Sequence, residues 1–272
     1  MARQAVIVVE ADVTGIIKEE RIGGQRLVLG DCLEVMPLLG RFDAVFADPP
    51  YSSGGQFRGD RTGATSAKYQ STEHRGLYSE FSGDSRDQRG YAYWSAIWTG
   101  MARRLTVQKG LLICFTDWRQ LPTTTDAIQS GGWVWRGLVA WDKTEAARPQ
   151  KGRYRNQCEY AVWGTNGAAA DAGACAPGVF RYSVASEQKH HIAGKPVQLY
   201  EDMLQICGNA VLDPFMGSGT TLVACEKLGR VGTGIEIDPE YFEIACRRVE
   251  EATRQPDMFV TAPEQPKQET LL

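Results

Sequence analysis

The stretch AVLDPFMGSGTTLVACEKLGRVGTGIEIDPEYFEIACRRVEEA, residues 210–252, decides the fold of this chain. A short apolar strand ends at Asp213, a glycine turn follows, and the spacing of apolar residues then predicts a helix, a strand ending at Glu236 and a second helix. Strands that alternate with helices in this way build a parallel sheet covered by helices. We therefore expect an α/β fold with a Rossmann-like, mostly parallel sheet of seven strands and helices on both faces.

The chain before this stretch supplies the remaining elements. The patterns predict strands at 26–31, 42–48, 110–118, 133–141 and 157–164, and helices at 32–39, 91–105 and 197–207. We expect one domain over 26–252, an N-terminal extension, 1–25, and a tail, 253–272, whose Pro, Gln and Glu content predicts disorder. Two polar segments, at about 52–90 and 144–189, are typical of functional loops and are predicted insertions that face a partner.

The bulk composition argues against several classes of protein. Of the 272 residues, 43% are hydrophobic, which is enough for one large core. No apolar run approaches the roughly 20 residues that cross a bilayer, so we expect no membrane partner and a cytoplasmic location. The seven cysteines are odd in number and lie far apart, which predicts reduced thiols. With three histidines and no Cys-x-x-Cys pair, we expect no metal.

The turn after Asp213 has the features of a nucleoside-binding loop. Gly217 and Gly219 let the backbone approach a ligand closely, and the two threonines that follow are predicted to cap the next helix. The dinucleotide pattern Gly-x-Gly-x-x-Gly and the phosphate-loop pattern are both absent, which argues against NAD and ATP. Glu236, at the end of the next strand, is placed to accept two ribose hydroxyls. A nucleoside with a small charged tail fits both features.

The segment VFADPPYSSG, residues 45–54, is an unusual end for a strand. Proline donates no backbone hydrogen bond and restricts the residue before it, so the chain must leave the sheet at Pro49. The turn fixes the carboxylate of Asp48, a stiffened backbone carbonyl and the ring of Tyr51 at one place on the carboxyl edge of the sheet. Taken alone, the same residues would also suit a turn cap and a core tyrosine.

With these motifs the sequence resembles the S-adenosylmethionine-dependent DNA amino-methyltransferases of the permuted, beta-class order. The resemblance covers roughly residues 26–250 and rests on ADPPY (47–51), HIAGKPVQLYEDML (191–204), VLDPFMGSGTT (211–221) and GIEID (234–238). It implies a circularly permuted methyltransferase order, in which the chain begins at what is spatially the third strand and ends after the second. HIAG departs from the usual His-Pro-x-Gln, so the roles of His190 and His191 stay open.

The resemblance implies S-adenosyl-L-methionine as the cofactor and gives roles to individual residues. The implied catalytic residues are Asp48, Pro49, Pro50 and Tyr51. The implied cofactor-binding residues are Asp31, Cys32, Asp48, Lys195, Asp213, Pro214, Phe215, Gly217, Ser218, Gly219, Thr220, Thr221, Glu236 and Asp238. Among these, Asp31 and Cys32 would contact the adenine ring of the cofactor, and Lys195 would lie near its methionine end.

This chemistry gives a purpose to the turn at Asp48. Methyl transfer to an exocyclic amine needs a nitrogen lone pair that is normally delocalised into the base. If the Asp48 carboxylate and the Pro49 carbonyl both accept hydrogen bonds from the amine, they hold it toward tetrahedral geometry, while Tyr51 stacks on the extruded base. Carbon methylation would need a cysteine nucleophile, usually presented after proline, and no cysteine of this chain follows a proline.

The expected function is site-specific methylation of adenine N6 in duplex DNA, with flipping of the target base. Family members with aspartate at the position of Asp48 mostly modify adenine and those with serine mostly modify cytosine, so N4-cytosine methylation remains an alternative. A catalytically silent DNA-binding regulator of the same fold is a second alternative. An RNA methyltransferase is disfavoured, because the sequence contains no separate RNA-binding module.

The distribution of charge is more informative than the net charge of −3. Residues 136–155 hold six basic and two acidic side chains, with Trp141 and Tyr154 among them. This mixture is typical of a phosphate-contacting surface, although a solvated face would have a similar composition. The predicted DNA-binding residues are Arg148, Lys151, Arg153 and Arg155. The resemblance further implies a homodimer, a prokaryotic or phage-encoded, nucleoid-associated enzyme, and a role in restriction-modification.

Overall fold

The computed structural model describes residues 15–51, 86–147, 149, 151–170, 173–183 and 195–254. They form one mixed sheet of nine strands, whose order across the sheet is β1-β2-β9-β8-β3-β4-β6-β5-β7. In chain order the strands are β1 (Ile16–Ile22), β2 (Gln25–Gly30), β3 (Phe42–Ala47), β4 (Thr106–Thr116), β5 (Val134–Asp142), β6 (Cys158–Thr165), β7 (Val179–Arg181), β8 (Ala210–Asp213) and β9 (Val231–Glu236).

Helices cover both faces of this sheet. They are α1 (Cys32–Val35), α2 (Gln88–Leu105), α3 (Leu121–Ser130), α4 (Val197–Met203), α5 (Thr220–Lys227) and α6 (Pro239–Arg254). Short 3-10 turns follow α1 at Met36–Leu38 and α4 at Leu204–Ile206. The predicted helices at 32–39, 91–105 and 197–207 are therefore confirmed, with small shifts of their ends.

The core lies in layers on the two sides of the strands. On one face, Trp98 of α2 and Ile128 of α3 pack against strand residues that include Val45. On the other face, α4 and α5 pack against the alternate residues of the same strands, such as Phe46. A third cluster joins α6 to β2 through Phe242 and neighbouring side chains. Because successive strand residues point to opposite faces of the sheet, a strand with a continuous apolar run places apolar side chains in the core on both faces.

The topology confirms the predicted α/β fold and its permuted order. Strands β2, β9, β8, β3 and β4 run parallel, and β6 is antiparallel to both of its neighbours, β4 and β5, so β5 again has the direction of β4. The first of the seven predicted strands, β2, lies beside the last, β9. These seven strands are the inner strands of the sheet.

The predicted number of seven strands is wrong, because two edge strands add to them. β1 lies within the predicted N-terminal extension, 1–25, and pairs antiparallel with β2. Four consecutive charged residues interrupt its apolar pattern, so the sequence gives a poor strand signal there. At the other edge, β7 has three residues, which are too few to establish a periodicity, and it pairs parallel with β5.

Helix α3 was not predicted from the sequence. Its segment LPTTTDAIQS contains three consecutive threonines, which have low helix propensity because they are branched at Cβ. Tertiary packing outweighs this propensity. The three threonines are buried in the protein, and the Thr124 hydroxyl is hydrogen-bonded to the hydroxyls of Tyr91 and Thr116.

Some predictions fall outside the described residues. These are most of the insertion at 52–90, Arg148, His190 and His191, and the tail beyond residue 254. In the part of the chain that the structure describes, no cluster of His, Cys, Asp and Glu side chains could hold a metal ion, and no helix is long and apolar enough to cross a membrane. All seven cysteines are free, and Cys32, Cys114, Cys207 and Cys225 are buried.

Substitution of Gly219 should destabilise the fold more than substitution of Gly229. Both glycines have positive φ, 79° and 65°, so alanine at either costs about 1 kcal/mol or more of backbone strain. A Cβ at position 219 would also lie 2.9 Å from Cβ of Ala245 on α6, whereas one at position 229 would meet nothing within 4 Å. Overpacking should add about 1–3 kcal/mol to the loss for Gly219→Ala. Urea unfolding of both variants measures the difference, and equal losses would contradict this packing role.

Candidate active site

The candidate site lies at the carboxyl edge of the sheet, between β3 and β8. These strands pair in parallel, with Ala44 beside Val211 and Val45 beside Leu212. From β8 the chain passes through α5 to β9 on one side, and from β3 it passes through α2 to β4 on the other. Connections that diverge in this way leave a crevice beyond the strand ends, which is where open α/β sheets bind ligands.

Four acidic residues that are distant in sequence come to this edge. Asp31 follows β2, Asp48 follows β3, Asp213 ends β8 and Glu236 ends β9. The strands that carry them are adjacent and parallel. The placement predicted for these four residues at one edge of the sheet therefore agrees with the structure.

The Asp48 carboxylate accepts hydrogen bonds at both of its oxygens. The Tyr51 hydroxyl donates to Oδ1, and the Lys195 ammonium donates to Oδ2. Lys195 also donates to the Tyr51 hydroxyl over 2.9 Å. These three side chains form a closed triangle of charge-assisted hydrogen bonds, so the carboxylate is held in one orientation beside the end of β3.

Lys195 is almost completely removed from solvent, with 3% of its side chain exposed. Its Nζ lies 4.6 Å from the centroid of the Phe115 ring and 5.5 Å from that of the Tyr51 ring. A buried ammonium is stable only with partners of opposite charge. Asp48 is the nearer partner, and Oε2 of Glu159 lies 3.6 Å from Nζ. The resemblance gave Lys195 a contact with the cofactor, and the structure adds a direct contact with Asp48.

The two tyrosines at this site, Tyr51 and Tyr200, keep their phenolic protons. Burial, followed by the nearby Asp48 carboxylate, raises the pKa of Tyr51 and the pKa of Tyr200 well above the ordinary value for tyrosine. Both phenols therefore stay protonated at neutral pH. The ring of Tyr200 stacks on Phe115 with centroids 5.6 Å apart, which extends the aromatic surface beside Lys195. Stacking of Tyr51 on an extruded base stays a prediction.

Asp213 is held by neutral donors in a buried position. It is 3% exposed, and its carboxylate accepts hydrogen bonds from the Thr221 hydroxyl and, over 2.9 Å, from the backbone N–H of Phe215. Burial raises the pKa of Asp213 to about 7, and the two hydrogen bonds oppose this rise. The carboxylate is therefore poised to gain from a positively charged or hydrogen-bond-donating ligand.

Glu236 ties the end of β9 to the glycine turn. Its carboxylate accepts hydrogen bonds from the N–H groups of Gly217, over 2.9 Å, and Asp238, over 2.8 Å. Burial raises the pKa of Glu236 to about 7 as well. The carboxylate of Asp238 caps α6 by accepting the N–H groups of Glu240 and Tyr241. The predicted contact of Asp238 with the cofactor stays a prediction.

The glycine turn combines an open position with a packed one. Gly217 has φ of 52°, and a Cβ there would meet nothing within 4 Å, whereas Gly219 packs closely on α6. The predicted capping of α5 by the threonines is wrong. Gly219 is the N-cap and has no side chain that could cap this end, and Thr221, inside the helix, is bonded to Asp213. Pro214 lies in the same turn.

Arg248 on α6 is a site residue that the sequence reasoning missed. Its guanidinium donates to the Ser218 carbonyl over 2.6 Å, to the Ser218 hydroxyl over 2.8 Å and to the Thr220 hydroxyl over 3.2 Å. The sequence does contain a signal for it: Arg248 follows the buried Ala245 by three residues, which is a helical spacing, and it directly precedes the buried Val249. Arg248 therefore fixes the two hydroxyl groups that were predicted to contact the cofactor.

The side of the site near β2 is apolar. Asp31 caps α1 by accepting the N–H of Leu33 over 2.8 Å, and Cys32 is buried, which raises the pKa of its thiol. Phe215 packs against the same core cluster, with its ring centroid 5.3 Å from that of Trp94 and 5.1 Å from that of Trp98. Contacts of these residues with an adenine ring stay predictions.

The loop 143–157, which holds the basic residues predicted to contact DNA, lies at the same edge of the sheet as Asp48. It connects the end of β5 to the start of β6, and Tyr160 of β6 pairs with Thr116 at the carboxyl end of β4. Lys151 and Arg153 are exposed, and between Arg153 and Arg155 the side chain of Tyr154 is 98% exposed. Arg155 donates to the backbone carbonyls of Glu145 and Ala147, so at least part of its role is to hold the loop.

The permuted sheet, the glycine turn after β8 and the carboxylate turn after β3 together define a methyltransferase of the class that modifies amino groups of DNA bases. A family model of N6 and N4 methyltransferases, described as DNA methylase, matches residues 42–173 and 177–247, and the chain belongs to this family.

Individual proteins resemble the chain over most of its length. It is 28% identical to the putative methylase YubD of Escherichia coli (strain K12) over 229 residues, which cover 82% of this chain and 89% of that protein. The crystal structure of the M1.HpyAVI-SAM complex has a TM-score of 0.61 at 23% identity, covering 83% of this chain and 98% of that one. PvuII DNA methyltransferase (cytosine-N4-specific) has a TM-score of 0.64 at 14% identity, covering 86% and 91%.

The stability of the ligand-free protein should depend on pH through Asp213. The pKa of its carboxyl is about 7 in the folded chain against an ordinary 3.8, so the folded state holds a proton that the unfolded state releases between these values. Stability should therefore fall as pH rises from about 4 to 7. Asp213→Asn removes this contribution and should gain melting temperature relative to the parent between pH 5 and pH 8. If the difference in melting temperature between the variant and the parent does not change with pH across that range, the Asp213 carboxyl does not destabilise the folded protein on ionisation.

Proposed function

We propose that the chain is a site-specific DNA methyltransferase that transfers a methyl group from S-adenosyl-L-methionine to N6 of adenine in duplex DNA after flipping the base. The observation that carries this proposal is the position of Asp48, directly after β3 at the crevice, with both carboxylate oxygens held by Tyr51 and Lys195. A carboxylate fixed in this way suits an exocyclic amine, whose N–H groups need hydrogen-bond acceptors.

The residues of the crevice fit S-adenosyl-L-methionine. The open position at Gly217 gives a ligand access to the backbone of the turn, and Glu236 is fixed there with lone pairs remaining for ribose hydroxyls. Asp213, a buried carboxylate bonded only in part, would hold the charged methionine end together with the turn N–H groups. When bound, the cofactor supplies a methyl group on a positively charged sulfur.

The protein's own contribution to the reaction is orientation of the amine. Each carboxylate oxygen has two lone pairs, so Asp48 can keep its bonds to Tyr51 and Lys195 and still accept an N–H of the target base. The Pro49 carbonyl supplies the second acceptor on the same stiff turn. Two acceptors that withdraw the N–H groups from the plane of the base free the nitrogen lone pair for attack, and they do so without reorganisation.

The choice of adenine over cytosine rests on the aspartate at position 48 and on the family resemblance. The amine of cytosine N4 has the same two donors, and the cytosine-N4-specific PvuII enzyme shares the fold. The intact Asp48 triangle argues against a silent DNA-binding regulator. A homodimer and a partner restriction enzyme are expected from the resemblance alone.

Expression in a host without DNA methylation, followed by sequencing of modified bases, tests the proposal. We expect N6-methyladenine at one short sequence, and its loss with Asp48→Ala, because removal of one preorganised group costs on the order of 10²–10³ in rate. The purified variant should still bind cofactor and DNA, as measured by calorimetry and titration. N4-methylcytosine would establish the cytosine alternative, and unmodified DNA from a folded, expressed protein would support the regulator.

Lys151→Ala should weaken binding to every DNA sequence by a similar factor. Lys151 is exposed on the loop at the active-site edge, and a lost phosphate contact lowers the slope of log K against log salt by about one unit. Arg21→Ala is the matched control. Arg21 is exposed on β1 opposite Arg26, near the amino edge of the sheet. Titrations at several salt concentrations decide, and an unchanged slope for Lys151→Ala would remove this loop from the DNA interface.

A further inference from the structure

The Asp48–Lys195 pair has an outer partner, Glu159 of β6, whose part in the site has no explanation so far. Oε2 of Glu159 lies 3.6 Å from Lys195 Nζ, and its Oε1 lies 3.1 Å from Nζ of Lys143. The four side chains alternate in sign from Asp48 to Lys143. The Lys195 side chain is the most buried of the four, at 3% exposed against 25% for Asp48 and 23% for Glu159, so a buried cation lies between two partly exposed carboxylates.

The surroundings of Lys195 explain why a second carboxylate matters. In the part of the chain that the structure describes, its other contacts include the rings of Phe115 and Tyr51 and the neutral Tyr51 hydroxyl. When an amine donates a hydrogen bond to Asp48, it shares the charge of that carboxylate with Lys195. A second negative charge then keeps the ammonium in place, because a buried cation without sufficient partners is costly.

Glu159 is presented by a rigid element. It pairs with Trp141 in the antiparallel ladder of β5 and β6 and lies beside Tyr160, the partner of Thr116 at the end of β4. Its carboxylate therefore comes from a strand at the carboxyl edge rather than from a loop. Residues on strands hold a site more exactly in place than residues on mobile connections.

We propose that Glu159 is a positioning residue for methyl transfer. It holds the Lys195 ammonium against Asp48, and Lys195 in turn orients the Asp48 carboxylate toward the target amine. This inference rests on the proposed function, since it concerns the rate of transfer at that same site. It predicts that Glu159 acts on the rate only through Lys195.

A double-mutant cycle in single-turnover methylation tests this dependence. At saturating cofactor and DNA, Glu159→Gln should slow transfer about tenfold, the effect of losing one bond to a charged group, with both affinities unchanged. Lys195→Met should slow it about a hundredfold, and the double variant should be no slower than Lys195→Met. The control is Glu20→Gln, since Glu20 is also 23% exposed and lies 3.4 Å from a lysine, on β1 at the sheet edge. It should react at the parent rate.

Each other outcome overturns the inference. A parent rate for Glu159→Gln, independent losses that multiply in the double variant, or a loss confined to cofactor or DNA affinity would each exclude a positioning role. Glu159→Asp keeps the charge and should recover part of the rate, and it replaces Glu159→Gln in the cycle if thermal unfolding shows that the glutamine variant does not fold. A parent protein that transfers no methyl group would instead reject the proposed function.

Discussion

The parallel pairing of β3 with β8 is the constraint on which the rest of the structure depends. Because the chain leaves these two strands in opposite directions, their carboxyl ends open into a crevice that other elements must line. Asp48 and Asp213 lie 165 positions apart in the sequence, and this pairing brings both to the crevice. The helices on both faces bury the apolar sides of the strands and so keep the edge itself free for polar groups.

The acidic residues at this edge are stabilised in two different ways. Asp48 has an ammonium in direct contact, and its orientation is set by that ion pair and by Tyr51. Asp213 and Glu236 are bonded to hydroxyl and backbone N–H groups, and burial raises the pKa of each to about 7. In the part of the site around Asp48, the negative charge is thus compensated by a positive charge of the protein itself. The other part carries strain that a ligand with donor groups can relieve, which suits the separate tasks of holding a reacting amine and binding a cofactor.

Prediction from sequence succeeded where local chemistry decides the structure. The turn at Pro49 and the glycines after Asp213 end their strands for steric reasons, so the inner seven strands and the four acids at one edge could be placed. Contacts between distant segments gave no such signal. Lys195 bonds to Asp48 across 147 positions, and Arg248 reaches Ser218 only because α6 packs on the turn. Composition also does not distinguish an arginine on phosphate from one that, like Arg155, bonds to backbone carbonyls.

The contact between the two ends of the domain has a consequence for how such chains can vary. β2 lies beside β9, and β1 is tied to α6 by Lys18, whose ammonium donates to Glu243 over 2.7 Å. The first and last elements of the described residues are therefore neighbours in space. A gene could be cut in one surface connection and rejoined across this contact without moving Asp48, Lys195 or the glycine turn. The order of motifs along the chain is then a matter of history, while their arrangement in space is fixed by the sheet.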